Sequence, residues 1–345
     1  MILWFVGLGT SPPDSIPLAA VNIASSVDIL YLEQFTSPFG DMNIQDIESL
    51  GYKCIKIAKR WQVEDGTEIL KNAKEQTVVL AAYGDPYIAT THIELRSRAI
   101  KEGIETRTIH AASALTSLIG ECGLHYYKVG RTTTIMGGKN TTTTPYYTTQ
   151  KNMLESNHTI LLLEYNQDQD FFLDPKQALE MLLNEEKEQI RNVFNSDTCI
   201  IVASRVGQVE QKIIVGDLSH MLDVDFGKPP HTVIIPGSMH FTESDALELF
   251  ADCLDEPKDN SSRVKKISHQ MLTKYIPMVN CALDDITSHY INTEFKTVLE
   301  NAKLYVKDAE NFLEMGRDEV AILSIGYADG LVDALRMGKG MEPRM

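Results

Sequence analysis

The stretch TVVLAAYGDPYIATTHIELRSRAIKE (77–102) decides the fold. Thr77–Ala82 is a short apolar run bounded by turn residues, which predicts a buried strand. Gly84, Asp85 and Pro86 then break the chain. A Thr-rich segment leads into His92–Glu102, whose polar patterning predicts a helix. Strand, Gly-containing loop and helix in that order make half of a parallel βαβ unit. Similar short apolar runs at Ile2–Leu8, Ile29–Tyr31, Cys54–Ile57 and Thr106–Ile109 alternate with polar segments such as Glu68–Lys74, so the first 112 residues predict a parallel sheet with helices on both faces. A second pass starts at Ser113, with strands expected at Thr132–Ile135, Thr159–Glu164, Thr198–Ser204, Lys212–Gly216 and Thr232–Ile235. Its helices are expected at Pro175–Asn192 and Ser244–Cys253. The expected fold is therefore α/β in two domains, 1–112 and 113–254, with an all-α domain over 262–340.

That last division rests on DEPKDNSS (255–262), a polar, Pro-containing stretch that reads as a linker. Beyond it the apolar positions fall in three- and four-residue steps. One set is Ala302, Tyr305, Ala309, Phe312 and Leu313, and another is Val320, Leu323, Tyr327, Leu331 and Leu335. Each set predicts one face of an amphipathic helix, with Gly316 at the turn between. Tyr327-Ala-Asp-Gly could mark a site, and a tight helix crossing explains Gly326 and Gly330 equally well.

The bulk numbers bound the function. The 345 residues are 43% hydrophobic and 23% charged, as in a globular protein. Almost all of the net charge of −16 falls in the first 257 residues. Such an acidic body argues against direct nucleic-acid binding, which depends on cationic side chains. No apolar run is long enough to span a bilayer, so no membrane partner is expected. The N-terminus reads as a first strand and not a leader. Five widely spaced cysteines without a CxxC pair fit reduced, mostly buried thiols in the cytoplasm. His110, His125, His158, His231 and His240 have no ligand-like spacing, and no metal is expected.

Two loops could meet a ligand. VGLGTSPPDS (6–15) ends the first strand in glycines, where bare backbone can approach a small molecule. Asp85 stands at the carboxyl end of a sheet strand, the side on which open α/β sheets bind ligands. A turn aspartate explains Asp85 equally well from its position alone.

GLG near residue 7, YLEQFTS (31–37), GDPYIATTH (84–92) and IHAASALTSLIGECGL (109–124) together resemble successive motifs of the diphthine synthase family. HTILLLE (158–164) and DFGKPPHTVIIPGSMHFTESDALELF (225–250) continue the resemblance in order to about residue 253. The resemblance implies two α/β domains of tetrapyrrole methylase type with S-adenosylmethionine in the cleft between them, S-adenosylhomocysteine as product, and a homodimer. It implies N-methylation of a 3-amino-3-carboxypropyl group on a histidine of translation elongation factor 2, the protein partner. Carried over by motif, the cofactor contacts are Thr10, Asp85, Ile88, Ser113, Ala114, Leu163, Val206 and His231. Thr10 and Ala114 stand where leucine and isoleucine are usual, SRVG (204–207) stands for ARAG, and MGGKNTTTTPYYTTQKN (136–152) departs further. No catalytic residue is assigned. His231 and His240 are candidate bases, with a structural or cofactor-packing role weighed against each. A tetrapyrrole or other small-molecule acceptor and a non-catalytic scaffold are the alternatives. YVKDAENFLEMGRDEVAILSIGYADGLVDAL (305–335) resembles an archaeal helical domain of unknown function.

Overall fold

The computed structural model describes residues 1–37, 42–138, 140–290 and 293–343. The chain forms two compact units, the first Met1–Val264 and the second beginning at Lys265.

The first unit has two lobes. In the N-terminal lobe, β1 (Ile2–Gly7), β2 (Ile29–Glu33), β3 (Ile55–Ala58), β4 (Val78–Ala82) and β5 (Glu105–Ile109) form a sheet in the order β3-β2-β4-β1-β5. Every pair is parallel. Alternation along each strand sorts the side chains into two cores. Leu3, Phe5, Tyr31, Val78 and Leu80 pack in one, and Val6, Leu30, Leu32, Val79 and Ala81 in the other. Burial on both faces explains why these strands are continuous apolar runs.

The C-terminal lobe adds β6 (Thr133–Ile135), β7 (Thr159–Leu163), a small hairpin of β8 (Tyr165–Asn166) and β9 (Phe171–Phe172), then β10 (Cys199–Ser204), β11 (Lys212–Asp217), β12 (His231–Ile235) and β13 (Asp252–Cys253). Its main sheet runs β13-β11-β10-β12-β7-β6 and is mixed. β10 is antiparallel to both neighbours, while β6 and β13 join in parallel. The helix Pro175–Gln189 starts on the Asp174 cap and stops where Ile190 turns left-handed at φ 52°, three residues before the expected end. The expected helix Ser244–Cys253 is Phe241–Phe250, and Asp252–Cys253 is a strand. Within 136–152, where Lys139 lies outside the described residues, the helix Thr143–Leu154 forms.

The polar stretch 255–262 is no free linker. Asn260 is fully buried, and its amide serves Cys199 N, Cys199 O and Pro236 O at 2.9–3.0 Å. Asp255 accepts from the Asp217 N–H at 2.8 Å, and Lys258 pairs with the Asp217 carboxylate. Local composition could not show that these polar side chains complete buried backbone of β10 and β11. Three of the five cysteines, Cys54, Cys253 and Cys281, are exposed, against the expectation of mostly buried thiols.

The second unit consists of the helices Ile267–Tyr290, Lys296–Glu314 and Asp318–Met337. Gly316, at φ +68°, makes the expected turn. The third helix buries Ala321, Ser324, Ile325, Ala328, Val332 and Leu335. Leu323 and Tyr327, read from the sequence as core, are 60% and 58% exposed. Ala321, Ser324 and Ala328 help seat this helix, so the expected face is shifted: Leu335 is buried and Leu331 packs against the core, but Leu323 and Tyr327 do not. Gly326 and Gly330 are exposed with open space beside them, so they mark no tight crossing.

Candidate functional site

The loop after β4 is shaped by its own side chains. Gly9 and Gly84 exchange backbone hydrogen bonds of 3.2 and 2.8 Å, which draws the loop across the end of β1. A Cβ on Gly7 would lie 2.5 Å from the Gly84 carbonyl. The close backbone approach at GLG therefore serves the chain itself. Asp85 accepts from the Tyr87 N–H at 3.0 Å and from His110 Nδ1 at 2.7 Å. The Pro86 carbonyl accepts from Thr90 Oγ1 at 2.6 Å and from His92 Nδ1 at 2.9 Å. Burial pushes the His92 imidazole down to about 4, partly offset by its bond to Pro86, so it is neutral at pH 7. These anchors leave Gly84 and Ile88–Thr91 facing a cavity of about 540 Å³ in the cleft between the lobes.

Ile88, Ser113, Ala114, Leu163, Val206 and His231 all line that cavity. They sit at or near element ends: Leu163 closes β7, Ser113 caps the helix Ala114–Glu121 by accepting from the Leu115 N–H, and His231 begins β12. His231 Nε2 lies 3.2 Å from the Gly227 carbonyl, and burial lowers its pKa, favouring the neutral ring.

Thr10 and Asp85 are not on the cavity wall. Thr10 is buried in the joint between lobes, where its carbonyl accepts from Tyr83 Oη at 2.7 Å and Gly207 closes against its side chain. Both oxygens of Asp85 are occupied within the loop. His240 is also elsewhere, as the N-cap of Phe241–Phe250, with Nδ1 accepting from the Thr242 N–H. It is not among the residues that line this cavity.

The structure adds residues that the sequence reading did not single out. Arg60 and Glu64, on the short helix Arg60–Asp65, line the cavity and are exposed. The Arg60 guanidinium lies 5.5 Å from the Phe35 ring centroid. Glu33, at the end of β2, is fully buried and accepts from Thr36 N and Oγ1. Burial pushes its carboxyl up to about 7, against the lowering effect of Thr36 and Arg60. Across the cleft, Glu164 accepts from the Gly137 N–H at 2.6 Å, and Tyr165 stacks on Phe172 at 4.4 Å. YLEQFTS contained Glu33 and Phe35 without marking either; for Arg60 the sequence has no motif.

A family model described as "Tetrapyrrole (Corrin/Porphyrin) Methylases" matches residues 2–222. Diphthine synthases of Methanococcus aeolicus and Methanosphaera stadtmanae are each 35% identical to the chain, over 72% and 73% of it and 98% and 96% of their own lengths. The chain belongs to the diphthine synthase family. A crystal structure of diphthine synthase matches 76% of this chain and 100% of its own, with a TM-score of 0.65 and 29% identity. That of a putative diphthine synthase from Entamoeba histolytica matches 72% and 98%, with a TM-score of 0.65 and 30% identity. The chain is thus a methyltransferase with a tetrapyrrole-methylase fold. A second family model, "Protein of unknown function (DUF357)", matches residues 274–340 in the helical unit.

Proposed function

We propose that this diphthine synthase family member uses S-adenosylmethionine to methylate the amine of a 3-amino-3-carboxypropyl group on a histidine of translation elongation factor 2. The cavity between the lobes carries this reading. Its volume lies within the range of about 300–1,000 Å³ usual for small-ligand sites. Three carboxylates, Glu64, Glu164 and Asp168, line it against the single arginine Arg60. That balance suits a cationic ligand, because opposite charge is favoured where water is partly excluded. The residues of the cleft fit the cofactor in kind: Ile88, Ala114, Leu163 and Val206 offer apolar surface, and Gly84 and Ser113 offer backbone and hydroxyl groups.

When bound, S-adenosylmethionine supplies a sulfonium methyl group to a nucleophile and leaves as S-adenosylhomocysteine. The chain's own contribution is to hold, orient and dry the reacting groups, an effect of roughly 7–11 kcal/mol where alignment is good. His231, kept neutral by burial, adds no positive charge beside a cation. Asp85 acts through the loop: its bonds to Tyr87 and His110 fix the turn that presents Ile88. A homodimer is the expected assembly, and light scattering in solution tests it.

The functional test is incubation with S-adenosylmethionine and elongation factor 2 bearing the unmethylated precursor, followed by mass spectrometry of the modified peptide. Methyl-sized mass increments on the precursor histidine are expected. Unchanged peptide mass in the presence of bound cofactor would refute the reading.

A further inference from the structure

The cavity grades from a buried floor to a charged mouth. Gly84, Ser113 and Val206 are buried, whereas Arg60 and Glu64 are exposed. At the mouth the lobes are joined by Lys59 Nζ to Asp168 Oδ1 at 3.4 Å and by Gln167 Nε2 to Gln34 Oε1 at 3.2 Å. Arg60 thus stands on a solvent-exposed part of the cavity wall, within reach of a side chain delivered by another protein.

Arg60 is the only lysine or arginine lining the cavity among the described residues. Among those residues its guanidinium has no ion pair, and it lies over the Phe35 ring. Asp168 pairs with Lys59 and Glu164 accepts from the Gly137 N–H, while the buried Glu33 feels the Arg60 charge without an ion pair to it. A guanidinium resting on a ring face keeps its planar fork of N–H donors available, and that fork matches a carboxylate in bidentate fashion. The acceptor proposed above carries both an amine and a carboxylate. The amine must be offered to the methyl donor, so the carboxylate is the handle left for the enzyme.

We propose that Arg60 binds the carboxylate of the acceptor's aminocarboxypropyl group, selecting an amino-acid-like acceptor over a plain amine. This rests on the function proposed above. Phe35 sets the plane of the guanidinium, and the short helix Arg60–Asp65 sets its distance from the cleft. Glu64, one turn along, discourages a second anion beside Arg60.

The test compares the full chain with Arg60→Lys and Arg60→Ala, reading steady-state methylation of the precursor-bearing factor and calorimetric binding of S-adenosylhomocysteine. Arg60→Ala should raise KM for the factor roughly 10- to 100-fold, the size of a lost charge-assisted hydrogen bond. Arg60→Lys should raise it less, since the charge persists without the fork. S-Adenosylhomocysteine affinity should stay within about twofold of wild type in both, which also shows that the variants are folded. An unchanged KM, or a loss of cofactor affinity matching the rise in KM, overturns the proposal. Failure of the function itself looks different. A wild-type chain that binds S-adenosylhomocysteine but never methylates the factor would remove that reading, and the role of Arg60 with it, before any variant is compared.

Discussion

Glu33 in the N-terminal lobe and Glu243 in the C-terminal lobe are both fully buried, yet their surroundings drive them in opposite directions. Burial would raise both. Around Glu243 the backbone N–H groups of His240 and His125, the Lys128 ammonium and His158 Nε2 all donate, and together they hold it at about 2. His158 Nδ1 accepts from the Gly237 N–H, so its ring is neutral and every polar atom in the cluster has a partner. Among the described residues Glu33 has Thr36 and the more distant charge of Arg60, so burial prevails and pushes its carboxyl up to about 7. Burial does not set the charge of a carboxylate; the number of donors aimed at it does. The outer cluster is a strut between helix and sheet. The carboxylate below the cavity mouth can change charge near neutral pH.

The largest effect should follow removal of the strut. Glu243→Ala strands Lys128 and leaves the N–H groups of His125 and His240 without an acceptor, and it should destabilise the first unit by about 3–5 kcal/mol in chemical denaturation. In the wild type, stability from Glu243 is full above the ordinary carboxylate value of 4.5 and is lost as pH falls toward 2.

Glu33 has the opposite sign. Its native form holds a proton that the unfolded chain releases near 4.5, so its contribution to stability declines as pH rises from there to about 7. Glu33→Gln should flatten that decline, with a difference of about 3 kcal/mol between the ends of the window. Thermal melts across pH 4–8 would check it; parallel wild-type and variant profiles would show that the carboxyl ionises freely.

Asp85 is a third buried carboxylate, and its bonds to the Tyr87 N–H and to His110 Nδ1 tie its loop to the end of β5. Asp85→Ala should weaken S-adenosylhomocysteine binding roughly tenfold by calorimetry, the scale of one or two lost hydrogen bonds, with little change in global stability. A large drop in melting temperature instead would make Asp85 a strut like Glu243.

What was legible in the sequence follows the same division. Strands such as Val78–Ala82 are buried on both faces, so their apolar runs showed in composition alone. Motif order put Ile88, Ser113 and Val206 near strand and helix ends, and all three line the cavity. It could not show that Thr10 fills the joint between lobes, a role that depends on Tyr83 and Gly207 far along the chain, or that His240 caps a helix. Arg60 was invisible for the same reason, since its partner ring and its place at the cleft exist only once β2 and the next helix are packed. Asn260 looked like linker because a polar side chain that completes buried backbone resembles, in sequence, one that meets water. In the helical unit Ala321, Ser324 and Ala328 seat the third helix, and small residues leave little trace in an apolar pattern.

The central claim is that the groove between the two lobes of the first unit holds a methyl donor. A crystal structure with S-adenosylhomocysteine tests it most directly. The account predicts the ligand against Ile88, Ser113, Ala114, Leu163, Val206 and His231, with Arg60 open at the entrance. Ligand bound anywhere else, or a groove filled by the chain's own side chains at saturating ligand, would contradict it.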